Sequence, residues 1–67
     1  MKNRVKKFNA WKAKSTGEPI EGSERFIYAC TKQKVMEILA IEEGVQFIKN
    51  NNVVRLPNGD LWYATQL

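Results

Sequence analysis

The sequence predicts a small α+β domain, an antiparallel sheet packed on one α-helix. Three observations predict it. The run "RFIYAC" at 25–30 is continuous and rich in aromatic and β-branched residues, which suits a strand. The stretch at about 32–43 is amphipathic, capped and free of Gly and Pro, which suits a helix. Asn58-Gly59 between two apolar segments is a strong hairpin signal. The predicted order is β-β-α-β-β in one domain over 1–67, with a fifth strand if 45–49 is extended.

The first element is "RVKKFNAWKAK", Arg4 to Lys14. As a helix it puts Val5, Phe8 and Trp11 on one stripe, but Arg4 and Lys12 fall inside that arc. This spoils an amphipathic membrane helix. As a strand, its even positions gather Arg4, Lys6, Lys12 and Lys14 around Phe8 and Ala10. The strand is the better template, and it predicts a basic face. "RFIYAC" supplies a partner strand, which disfavours a free basic arm.

Between them lies "KSTGEPIEGSE", where Gly17, Pro19 and Gly22 break regular structure. It is either a contact surface or a mobile tip. "RFIYAC" itself carries apolar residues on both parities, which predicts a central strand covered on part of each face. Thr31 is placed to cap the helix, Val35, Met36, Leu39 and Ala40 share one face, and Ile38 and Ile41 widen it. Gly44 is a natural stop. Beyond it, Val and Phe in "VQFIK" favour a strand over a helix continued through Gly44. Val53 to Leu56 and Leu61 to Thr65 form the closing hairpin, with Pro57 where a missing N–H costs little. The expected core draws on the large apolar residues of every element, Trp11, Phe26, Tyr28, Ile41 and Trp62 among them.

Charge is split along the chain. Residues 1–16 hold six bases and no acid, whereas 17–67 hold five bases and seven acids. Such a basic end suits an acidic or polyanionic partner, or else keeps a sheet edge from pairing. Cys30 is the only cysteine, so no intrachain disulfide forms, and a cytoplasmic setting is expected. No apolar run approaches the ~20 residues of a membrane span, and no membrane partner is expected.

Chemistry is poorly provided for. Histidine is absent, so a general base would have to be an acid, Lys or Tyr. Cys30 has no His to activate it and reads as a buried strand residue. No metal, cofactor or catalytic residue is expected, and the chain reads as non-enzymatic.

"KVMEILAIEEGVQFIKNNNVVRLPNGDLWY" is similar to the excisionase and MerR-type winged-helix pattern, with a "VxRLPNG-W" wing. That resemblance implies DNA binding through Gln46, Lys49 and Arg55. The chain departs from it in three ways. Ala40-Ile41 stands where Gly-Val belongs, 41–48 is short for a recognition helix, and the first thirty residues have no counterpart. Lys7-Phe8-x-Ala10 and Ile27-Tyr28-Ala29-x-Thr31 resemble the small host RNA-polymerase inhibitors of short-tailed coliphages. Residues 44–63 resemble, in layout, a small basic type I-F anti-CRISPR protein. These resemblances imply a class, the phage or mobile-element inhibitor, without carrying over individual site residues.

The resulting expectation is a stoichiometric binding protein, monomeric or homodimeric. Its target would be a host protein or nucleoprotein complex such as RNA polymerase or a CRISPR effector. The expected contacts are Lys6, Lys7, Trp11, Lys12 and Lys14 on the first strand, with Arg55 and Trp62. The alternatives are a DNA-binding winged helix and an assembly protein that pairs by an edge strand.

Overall fold

The computed structural model describes residues 4–47 and 53–67. It contains strands β1 (Lys6–Ala13) and β2 (Arg25–Ala29), helix α1 (Lys32–Glu43), and strands β3 (Val54–Arg55) and β4 (Leu61–Gln66). All pairs are antiparallel, in the order β2-β1-β4-β3. The predicted α+β class and element order are observed. Among the described residues no helix is long and apolar enough to cross a membrane.

The helix follows its sequence signals closely. Thr31 Oγ1 accepts the Lys34 N–H at 3.1 Å, satisfying an otherwise free donor of the first turn. At the other end Gly44 adopts φ 72°, and the Gly44 and Val45 N–H groups donate to Ile41 and Ala40 carbonyls. This double bond pattern ends the helix and turns the chain back. Val35, Met36, Leu39 and Ala40 are buried, as expected. Ile41 is not, at 73% exposed, because it lies on the side of the helix opposite that row.

Residues 45–47 form neither strand nor helix, so the fifth strand is not formed there; 48 and 49 lie outside the described residues. Val45 instead closes the helix end, and Val45 and Phe47 pack against the core. Packing outweighs their strand propensity.

The strand order corrects two expectations. β1 is central, paired on one side with β2 and on the other with β4. β2 is an edge, not a central strand. Helix α1 must therefore cross the sheet, since β2 and β3 lie at opposite edges, and it covers one face on the way. That face carries Phe8, Ala10, Ile27, Ala29, Val54, Trp62 and Ala64, all buried. Ala10 and Ala64 are register partners beneath the helix. Their small side chains leave room for Val35, Met36 and Leu39, which are fully buried. Ala10→Leu is expected to overpack this layer and cost roughly 1–3 kcal/mol. A denaturant titration against wild type would read the loss; an unchanged midpoint would show that the layer has spare room.

The connection from β1 to β2 is fastened rather than loose. Beyond Ala10–Arg25 the register slips by three residues, so that Ala13 faces Pro19. Ser23 Oγ takes over the pairing, accepting the Lys12 N–H at 2.9 Å and donating to the Ile20 carbonyl at 2.6 Å. Ile20 N–H in turn donates to the Lys12 carbonyl. The closing hairpin has a three-residue loop. Gly59 N–H donates to Leu56, Leu56 N–H donates to Asp60, and Gly59 takes φ 97°.

Candidate interaction surface

Alternation along the strands sends one set of side chains to the helix and the other to solvent. The uncovered face carries Lys7, Asn9 and Trp11 from β1, Phe26 and Tyr28 from β2, and Tyr63 and Thr65 from β4. Phe26 is 58% and Tyr28 63% exposed. Both were expected in the core. They are exposed because β2 is an edge strand with the helix on its other face only. Lys7 Nζ sits 4.4 Å from the centre of the Phe26 ring. That distance suits a cation–π contact, which also holds the ammonium group on the face. Trp11 and Tyr63 are half-buried and stack on each other at 5.9 Å between ring centres. The indole also floors an open groove walled by Glu18, Pro19, Ile20 and Glu21.

The predicted contact residues are thus divided. Lys7 and Trp11 lie on the uncovered face, and Arg55, the partner of Leu61, joins it at the β3 edge. Lys6 and Lys12 do not share that face. Their parity is that of Phe8 and Ala10, so they rim the helix-covered side. The anticipated basic face is in fact the core face of β1, with lysines at its margins. Lys14 is exposed beyond the strand, with its Nζ 3.8 Å from Glu18.

Trp62 is corrected as a contact residue, while its expected place in the core is observed. It is only 5% exposed and belongs to the core. Its Nε1 donates to Glu43 Oε2 at 2.8 Å, and Lys12 Nζ lies 3.8 Å from the same oxygen and 5.6 Å from the ring centre. These three side chains tie the helix C-terminus to β1 and β4. The pairing of Glu43 with Trp62 and Lys12 spans elements that only the fold brings together. Cys30 is half-buried just after β2, not within it. Gln46 is exposed after the helix stop, and Lys49 lies outside the described residues.

No known protein family, curated protein or solved structure matches this chain. Function is therefore read from the surface itself.

A second tie links β2 to the helix. Arg25 donates to both oxygens of Glu42, with Nη2 to Oε2 at 3.2 Å. Hydrogen bonding from Arg25 holds the Glu42 carboxyl below its ordinary value, and the same bond raises the Arg25 guanidinium. A depressed carboxyl stabilises the fold above its unfolded value, and this is lost as pH falls through the folded value. The advantage of wild type over Glu42→Gln should accordingly be full at neutral pH. It should shrink below about pH 4.3, the ordinary glutamate value, and vanish once Glu42 is protonated. Melting temperatures of both proteins across pH would test this. A difference independent of pH would show that the pair contributes nothing through charge.

Proposed function

We propose that this chain is a non-enzymatic binding protein that occludes a protein partner with the uncovered face of its sheet. The supporting observation is the exposed pair Phe26 and Tyr28, on a face with Lys7, Trp11 and Tyr63 that no element covers among the described residues. Aromatic side chains with a few polar neighbours are the usual energetic centre of protein interfaces. The rigid sheet behind them keeps the ordering cost of binding small.

A nucleic-acid partner is less well served by the same surface. Glu18, Glu21 and Glu24 stand around the Trp11 groove, where a phosphate backbone would be repelled. A winged-helix reading lacks its recognition helix over 45–47, where the chain is not helical. The finer assignment, a phage or mobile-element inhibitor acting on a host machine, rests only on the resemblance of the short motifs at 7–10 and 27–31. Affinity capture from cell lysate, with and without nuclease, tests the class of partner. A polypeptide retained equally after nuclease is expected. Recovery that depends on intact nucleic acid would overturn the protein-partner reading.

A further inference from the structure

Helix-covered and open faces account for the side chains of β2, but not for its outer backbone edge. The direction of that edge follows from β1. The Lys7 carbonyl accepts the Leu67 N–H on the β4 side, whereas the Lys12 N–H and carbonyl bond toward Ser23 and Ile20 on the β2 side. Odd residues of β1 thus bond to β4, and even residues bond to β2. The bonded pairs across β1 and β2 are then Lys6–Ala29, Phe8–Ile27 and Ala10–Arg25. Phe26 and Tyr28 remain with their N–H and carbonyl groups directed outward.

Among the described residues this edge lacks the usual protection. β2 has no Lys and no Pro, and its one charge, Arg25, is drawn to Glu42 on the helix. The opposite edge, β3, is only two residues long. We propose that two copies of the chain pair antiparallel through β2, centred on Ile27. In that register Phe26 of each copy faces Tyr28 of the other. Only outward-pointing groups meet, and all those of Phe26 and Tyr28 are used, in about four hydrogen bonds. Each exposed Phe gains an exposed Tyr as its cross-strand neighbour, a favourable pairing.

Charge is complementary in the same register. The Ala29 end of β2 lies beside Lys6 and leads to Lys32, and the Arg25 end follows Glu21 and Glu24. An antiparallel arrangement sets the acidic end of each copy against the basic end of the other. Glu24 of one copy falls opposite Cys30 of the second, two residues from its Lys32. The two-fold axis stands normal to the sheet, so both helices lie on one side and the two aromatic faces join on the other.

Sedimentation of the purified chain from about 1 μM to about 1 mM, the span of weak interfaces, tests the pairing. A species of twice the chain mass should grow with concentration, and the Phe26 and Tyr28 amides should gain exchange protection with it. Tyr28→Lys should abolish the dimer. Phe26→Pro, which removes the ring and, of the backbone donors, only an outward N–H, should do the same with unchanged far-ultraviolet circular dichroism. If Phe26→Pro does not fold, Tyr28→Lys decides. A wild type that stays monomeric to ~1 mM overturns the proposal, as does a folded Tyr28→Lys variant that still dimerises. So does a dimer formed without protection of these two amides. No outside partner is needed, so the outcome is independent of the capture experiment.

Discussion

Trp62→Ala is expected to unfold the chain or leave it barely folded at 25 °C. Trp62 is 5% exposed and fills the layer between β4 and the C-terminal end of α1. Truncating a buried Trp costs roughly 3–5 kcal/mol, through lost burial and the cavity left behind. A chain this short buries only about 60% of its unfolded surface, and its whole stability is roughly of that size. Trp62→Phe separates packing from the polar tie. It keeps most of the volume but removes the N–H that Glu43 accepts, at a cost of roughly 1–2 kcal/mol. Glu43 is partly exposed, so water can replace that bond. Circular dichroism with urea titration of both variants would check this order. Equal stability of Trp62→Ala and wild type would remove Trp62 from the core.

Phe26→Ala/Tyr28→Ala is expected to weaken partner binding at least about thirtyfold, by the usual size of an aromatic hot spot. The fold should lose less than it does in Trp62→Ala, by roughly 1–2 kcal/mol. Both rings are more than half exposed, and such surface substitutions stay within about 0.5 kcal/mol each. The loss of the Lys7 contact with Phe26 adds only roughly 0.5–1 kcal/mol. Calorimetric titration with the captured partner, beside a thermal melt, separates the two effects. Parallel loss of binding and melting temperature would mean that the rings act through the fold.

The helix was legible in the sequence almost to the residue. Thr31, the Val35-Met36-Leu39-Ala40 row and Gly44 are local signals, and local geometry satisfies each of them. The strands at 6–13, 25–29 and 61–66 were nearly as clear, whereas the strand expected at 45–49 is not formed over 45–47 and the one expected at 53–56 shrinks to Val54–Arg55. Strand order was not legible, because β1 pairs with β4 across some fifty residues, and periodicity carries no information about such partners. That one gap produced the main misreadings. A basic row on β1 looked like a contact face, yet the helix covers the residues between its lysines. The two-parity apolar run of β2 looked central, but one parity faces solvent. The alanines were passed over because a small side chain looks unimportant until two packed layers must approach across it.

The aromatic face and the basic strand can be separated by one comparison. The captured partner is titrated with wild type, with Phe26→Ala/Tyr28→Ala, and with Lys6→Ala/Lys12→Ala/Lys14→Ala. The aromatic pair should lose binding by at least about thirtyfold, while the lysine triple changes Kd by less than about threefold and mainly slows association. The reverse order, with the lysine variant inert and the aromatic variant binding as wild type, would contradict the assignment of the uncovered sheet face as the contact surface.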